Sequence, residues 1–229
     1  FMPFKGKLAL EYVLKGGHRF NASAAFIADA PTFNQSYISA RTRNTSLGDL
    51  NPEGFTTRKT IAADVTYQLN TSWLQLRATA FWSKIYDQTD VMSFYDDSQH
   101  SFTNFAMTGI AERHAGMELG FKVPLPVQGL SVSGAFTYGE YIYVKNRGEN
   151  PRMVQTIDNS AEIIREGEVK YWVSHPETVS TVDEIKTVDV KHYVPSSPQI
   201  AAELAVNYRT NSYWFFEINA QYFGKSYLD

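Results

Sequence analysis

The chain has 229 residues, 14% of them aromatic, no cysteine and a formal charge of −3. Without cysteine there are no disulfides, thiolate metal sites or cysteine nucleophiles. The mild charge and the lack of a basic run argue against nucleic acid as a partner. No apolar run reaches the roughly 20 residues that a membrane helix needs, but strands that bury every second side chain in lipid average out as mildly polar.

Eight strands are predicted in chain order, grouped in four hairpins. Lys7 to Lys15 carries Leu8, Leu10, Tyr12 and Leu14 on one face, and Gly16-Gly17 turns it, since glycine supplies the positive φ of tight hairpin turns. His18 to Asp29 returns with Phe20, Ala22, Ala24, Phe26 and Ala28 on one face, the period of two that marks a strand. A loop-like stretch, Ala30 to about Gly54, is rich in Asn, Ser, Thr and Arg. The third strand sends Ile61, Ala63, Val65, Tyr67 and Leu69 outward and Thr60, Asp64, Thr66 and Gln68 inward. After Asn70-Thr71 the fourth presents Leu74, Leu76, Ala78, Ala80 and Trp82 outward. Arg77 falls on the opposite parity, as it must if the apolar face meets lipid.

A long connection is predicted from about Asp87 to Arg113. The fifth strand then places Ala115, Met117, Leu119, Phe121 and Val123 outward and Gly116, Glu118, Gly120 and Lys122 inward. Pro124 to Gly129 turns into the sixth, with Leu130, Val132, Phe136 and Tyr138 outward. The longest connection, about Lys145 to Ser197, is expected to hold a hairpin of its own, with Val169 to Val173 opposite Thr187 to Tyr193. The seventh and eighth strands put Ile200, Ala202, Leu204, Val206 and Tyr208, then Trp214, Phe216, Ile218, Ala220 and Tyr222, outward around a turn at Thr210 to Ser212. Short turns thus alternate with long loops, and aromatic residues gather near strand ends. This is the pattern of a transmembrane β-barrel with short periplasmic turns and long extracellular loops. A soluble β-sandwich or lipocalin-like barrel also alternates. However, the inward series, with Asp64, Arg77, Glu118, Lys122, Glu203 and Glu217, makes a poor dry core and a reasonable wet lumen.

Several stretches resemble the latter half of the barrel of TonB-dependent outer-membrane receptors, most of all those common in Bacteroidota. They are Ala30 through Tyr37 to Arg43-Asn44 and Leu50-Asn51-Pro52-Glu53; Ala78-Thr79-Ala80-Phe81-Trp82-Ser83-Lys84 with Asp87-Gln88-Thr89-Asp90; and Asn104-Phe105 leading to Ala115 through Gly120. Tyr208-Arg209 with Tyr213-Trp214, leading to Tyr222-Phe223 and Tyr227-Leu228-Asp229, is the last. The resemblance implies an all-β, antiparallel segment of about eight strands from a plugged barrel of about 22. Residues 1–229 are then read as a partial outer-membrane barrel domain, with the plug domain and terminal strands outside it. It also implies nutrient import (siderophore, vitamin, glycan or peptide) across the outer membrane of a Gram-negative bacterium. The partners expected are outer-membrane lipid, the plug of the same polypeptide, the TonB complex and a surface lipoprotein.

No cofactor is expected. No nucleophile–base set or Gly-x-Ser-x-Gly elbow suggests an enzyme. The five histidines show no metal-ligand spacing, and Asp87, Asp90, Asp96 and Asp97 read as solvated loop carboxylates before they read as a calcium site. Ligand contacts are expected from the loop residues Arg41, Arg43, Tyr95, Asp96, Trp172 and His175, because binding commonly recruits charged and aromatic loop groups. A passive porin-like channel and a soluble β-domain used for binding are the alternative functions.

Overall fold

The computed structural model describes residues 3–30, 57–157, 163–169, 192–195 and 198–227 in full, and the backbone alone of 175–180 and 185–190. The described secondary structure is β throughout, in twelve strands. They are β1 (Phe4–Leu14), β2 (His18–Asp29), β3 (Arg58–Asn70), β4 (Gln75–Asp96), β5 (Ser101–Pro124), β6 (Leu130–Val144), β7 (Arg152–Ile157), β8 (Ile163–Glu168), β9 (His175–Ser180), β10 (Ile185–Val190), β11 (Ile200–Arg209) and β12 (Phe215–Gly224). Eight of them form one antiparallel wall in the order β1-β2-β3-β4-β5-β6-β11-β12. The pair β7-β8 extends the wall from β5, and β9-β10 is a separate hairpin. The eight strands of the wall are the eight read from the sequence. The hairpin within the last long connection pairs His175–Ser180 with Ile185–Val190, so Thr187–Val190 meets His175–Thr178 rather than the expected Val169–Val173, of which 170–173 lie outside the described residues. A prediction from apolar content alone had no register information to place them.

Directly paired residues share a face, so the register assigns both faces of the wall. One row across it reads Phe20, Tyr67, Ala78, Leu119, Phe136, Ala202 and Tyr222. The rows on either side are equally apolar. Leu8, Val65, Met117, Leu204 and Ile218 are each more than half exposed, an arrangement that water penalises and lipid hydrocarbon accommodates. Among the described residues no helix is long and apolar enough to cross a membrane.

The opposite face carries Asn21, Ser23, Asp64, Thr66, Arg77, Thr79, Glu118 and Thr137 at successive paired positions. Ser23 donates to Asp64, the Thr66 and Thr79 hydroxyls lie 2.9 Å apart, and Asn207 reaches Ser133 at 3.3 Å. Arg77 is therefore lumenal, as its parity required.

Short turns close the periplasmic rim, and two of them bond to the next hairpin. The Gly17 carbonyl accepts from Asn70 N–H, and the Gly129 carbonyl from Arg209 N–H, each at 2.9 Å. On the outer face of this rim His18 Nδ1 and the Tyr67 hydroxyl are 2.8 Å apart, and Trp73, Tyr213 and Trp214 are exposed at the turns. Amphipathic rings of this kind suit the lipid–water interface.

Candidate functional site

The opposite rim departs most from the sequence reading. Asp87 to Arg113 is not a loop. β4 and β5 continue through it as one long hairpin, paired from Gln75–Lys122 to Asp96–Ser101. At roughly 3.3 Å per residue, the ten residues of β4 above Tyr86 project on the order of 30 Å past the apolar band. The band ends on these strands at Trp82 and Ala115, because the next outward positions are Lys84 and Arg113. Arg113 is bonded to Glu140 at 2.6 Å, and the Lys84 ammonium lies 4.8 Å from the Tyr86 ring centre.

Irregularities in the ladder sit just above this boundary, between Ile85 and Gln88 and between Gln88 and Thr89. Asp87 adopts φ +55° and Gly109, on the facing strand, φ +73°, left-handed conformations typical of bulges. Asp87 turns toward the outer-face residue Lys59, while Gln88 donates to Glu112 on the inner face. The in–out alternation therefore shifts by one residue, which is why sequence periodicity fades here.

Asp87 is the node of this junction. Its side chain is only 8% exposed and accepts from Lys59 Nζ at 3.0 Å, Asn146 Nδ2 at 2.9 Å and Arg147 Nη2 at 3.1 Å. Asn146 and Arg147 come from a tight turn in which Asn146 and Glu149 exchange both backbone bonds, with Arg147 and Gly148 at positive φ. β3, β4 and the β6–β7 turn thus converge on one carboxylate.

Burial pushes the Asp87 carboxyl up, but the Asn146 and Lys59 hydrogen bonds and the Lys59 and Arg147 charges outweigh it. The group is held below its ordinary 3.8. A lowered folded value favours the folded chain above the unfolded value, and that stabilisation is lost as pH falls through the folded value. Acidification below about pH 4 is expected to speed backbone hydrogen exchange in the β4–β5 hairpin. In Asp87→Asn this acid-dependent component should be absent. Equal acid sensitivity in both proteins would contradict the assignment.

Beyond the junction β4, β5, β7 and β8 form a four-stranded extracellular sheet, and much of the chain's burial lies here. Thr103, Asn104, Ala106, Met107 and Thr156 are at most 1% exposed. Gln155 donates to Asp96 Oδ2 at 3.1 Å and Thr103 Oγ1 at 3.2 Å, tying β7 to the tip of the β4–β5 hairpin.

Of the six residues expected to contact ligand, Tyr95 and Asp96 are at that tip. Tyr95 is half exposed and packs edge-on against Phe102, ring centres 5.4 Å apart. Asp96 is occupied by Ser98 and Gln155, and hydrogen bonds from the Ser98 hydroxyl and amide hold its carboxyl below the usual range. His175 opens β9, with its side chain outside the described residues. Arg41, Arg43 and Trp172 lie outside them altogether. The structure does not bring the four loop aspartates together. Asp87 and Asp96 hold separate partners nine residues apart on one strand, and among the described residues no three His, Asp or Glu side chains converge as metal ligands.

Sequence reasoning passed over a cluster on the lumenal face just below the junction. Glu112 accepts from Gln88 Nε2 and pairs with His114 Nε2, each at 2.9 Å. Burial raises its carboxyl, but those two bonds and the charges of His114 and Arg58 outweigh it and hold the group below its ordinary value. His114 stands edge-on to Tyr141, ring centres 5.1 Å apart, and Tyr141 stacks beside Phe81 at 6.5 Å and 20°. The alternation read from the sequence assigned Phe81 neither a face nor a role. Its neighbour across the wall is 60 residues away.

Comparison with protein families matches the TonB dependent receptor-like, beta-barrel model to residues 3–228. Neither curated proteins nor solved structures gave a match. The family match spans nearly the whole chain, and the structure supplies what a family of outer-membrane receptors requires: an antiparallel wall, apolar on one face and polar on the other, with short turns at one rim and an elaborate sheet at the other. This chain belongs to the β-barrel family of TonB-dependent receptors.

Proposed function

We propose that the chain is wall and extracellular entrance of an importer in a Gram-negative outer membrane, taking a nutrient ligand to the periplasm with energy delivered through TonB. The family match over residues 3–228 carries this reading, and the polar lumenal face supports it. The wall is then one part of a larger barrel around a plug of the same polypeptide, and the plug is the part TonB engages. A surface lipoprotein resting on the extracellular sheet is a further partner of this reading. Tyr95 and, through its free tip position, the β4–β5 hairpin are the first described groups an arriving ligand meets. The expected ligand classes are siderophore, vitamin, glycan or peptide.

The test is uptake by cells that express the full-length receptor, with and without a functional TonB. Import that disappears without TonB is the expected result. Flux that persists without TonB would replace energised import with a passive channel.

A further inference from the structure

The lumenal face of β4, β5 and β6 is mostly polar, with small residues such as Gly116, Gly120 and Ala135 among its polar groups and Ile85 at its upper edge. Reading downward, β4 presents Ser83, Phe81, Thr79 and Arg77 to the lumen, and β6 presents Tyr141, Gly139, Thr137 and Ala135. Phe81 and Tyr141 are both only partly buried. A phenyl ring left partly open on a mostly polar, wet face is an exception of the kind that concentrates at functional sites.

The rings are held by construction. Gly116 and Gly139 are directly paired between them. A Cβ on Gly116 would come within 2.8 Å of Phe81 Cζ, and one on Gly139 within 2.6 Å of the Tyr141 ring. Glycine at both positions lets the two rings lie close against the backbone, nearly parallel at 20° with centres 6.5 Å apart. His114 braces Tyr141 edge-on, and the Tyr141 N–H donates to Gln199 Oε1 at 2.9 Å. The result is a flat, fixed apolar tile just beneath the extracellular sheet.

Charges of both signs border the tile. Glu118 lies one lumenal position below Gly116, and Arg77 two below Phe81. Neither makes an ion pair among the described residues. An anionic ligand would meet Glu118 and Glu112, and a cationic one would meet Arg77. A neutral ligand with one apolar face and an edge of hydroxyls, each able to donate and accept, satisfies the tile and both charges together.

We propose that Phe81 and Tyr141 form a stacking subsite for a neutral saccharide ring, with Glu118 and Arg77 hydrogen-bonding its hydroxyl edge. The ring's axial C–H groups rest on the aromatic faces, whose negative quadrupoles attract them. This rests on the import reading above and narrows it to one ligand class at one level of the lumen.

The test uses the purified full-length receptor in detergent, titrated calorimetrically with maltohexaose, cellohexaose, mannohexaose and xylohexaose. At least one is expected to bind, and Phe81→Leu and Tyr141→Leu are each expected to weaken it about tenfold. Phe81→Tyr and Tyr141→Phe, which keep the rings, should retain affinity, showing that the loss is not misfolding. Failure of all four hexaoses to bind the folded receptor overturns the proposal, as does unchanged affinity in both leucine variants. TonB-dependent uptake of a non-saccharide that both leucine variants leave intact would sink the subsite while sustaining the import reading. Absence of any TonB-dependent uptake would sink the import reading itself.

Discussion

Leu119→Arg is expected to destabilise the wall by about 2–4 kcal/mol, whereas Ala135→Arg is expected to cost less than about 1 kcal/mol. Leu119 is the middle of five successive outward positions on β5, from Val123 to Ala115, with Ala78 and Phe136 beside it. A guanidinium there sits at mid-depth in hydrocarbon and finds no water. Ala135 is exposed on the lumenal face and lies opposite Glu203, so an arginine there gains both solvent and an acidic neighbour. Urea unfolding in lipid bilayers, read as the loss of the heat-modifiable gel band, measures the difference. Equal costs at the two positions would mean that the two faces do not differ in environment.

Gly129→Ala should cost about 3 kcal/mol or more, from left-handed strain and the loss of an inter-hairpin hydrogen bond. Gly129 has φ +81°, and a Cβ there would lie 1.9 Å from the Arg209 carbonyl oxygen. That oxygen belongs to backbone on the next hairpin and cannot rotate away as a side chain would. Gly17 has the same relation to the Asn70 carbonyl, at 2.1 Å with φ +85°. Gly148 is the control. Its φ is +98° but a Cβ there would meet open space, so alanine should cost only the conformational strain, about 1 kcal/mol. Assembly yield in the outer membrane and unfolding midpoints of the three variants should therefore rank Gly148→Ala above the other two.

The transmembrane half of this structure was legible because lipid enforces a strict code. Every outward position from Ile61 to Leu69 and from Ala115 to Val123 must be apolar, and period two follows directly. Above Trp82 that constraint lapses. Strands in water tolerate polar groups on both faces, so Asp87-Gln88-Thr89-Asp90 looked like the start of a loop although β4 runs on to Asp96. The bulge at Asp87 and the positive φ of Gly109 then shift the alternation, which erases the remaining period. Tyr95 and Asp96, expected in a loop, stand instead near the turn of the long hairpin. The Phe81–Tyr141 tile and the Asp87 node depend on register between strands distant in sequence, and a single chain's residues carry no direct record of that register.

The orientation of the wall's two faces underlies everything else, and because residues 1–229 contain no cysteine, labels on the wall meet no native thiol there once any cysteine elsewhere in the receptor is replaced. Single cysteines placed at 117, 118, 119, 120, 121 and 122 of the full-length receptor in lipid vesicles can each carry a nitroxide. Collision with oxygen, which concentrates in hydrocarbon, is then compared with collision by a water-soluble nickel chelate. Oxygen accessibility is predicted to peak at 117, 119 and 121 and to fall at 118, 120 and 122. Nickel accessibility highest at 117, 119 and 121, or no alternation at all, would contradict a wall that turns this face to lipid.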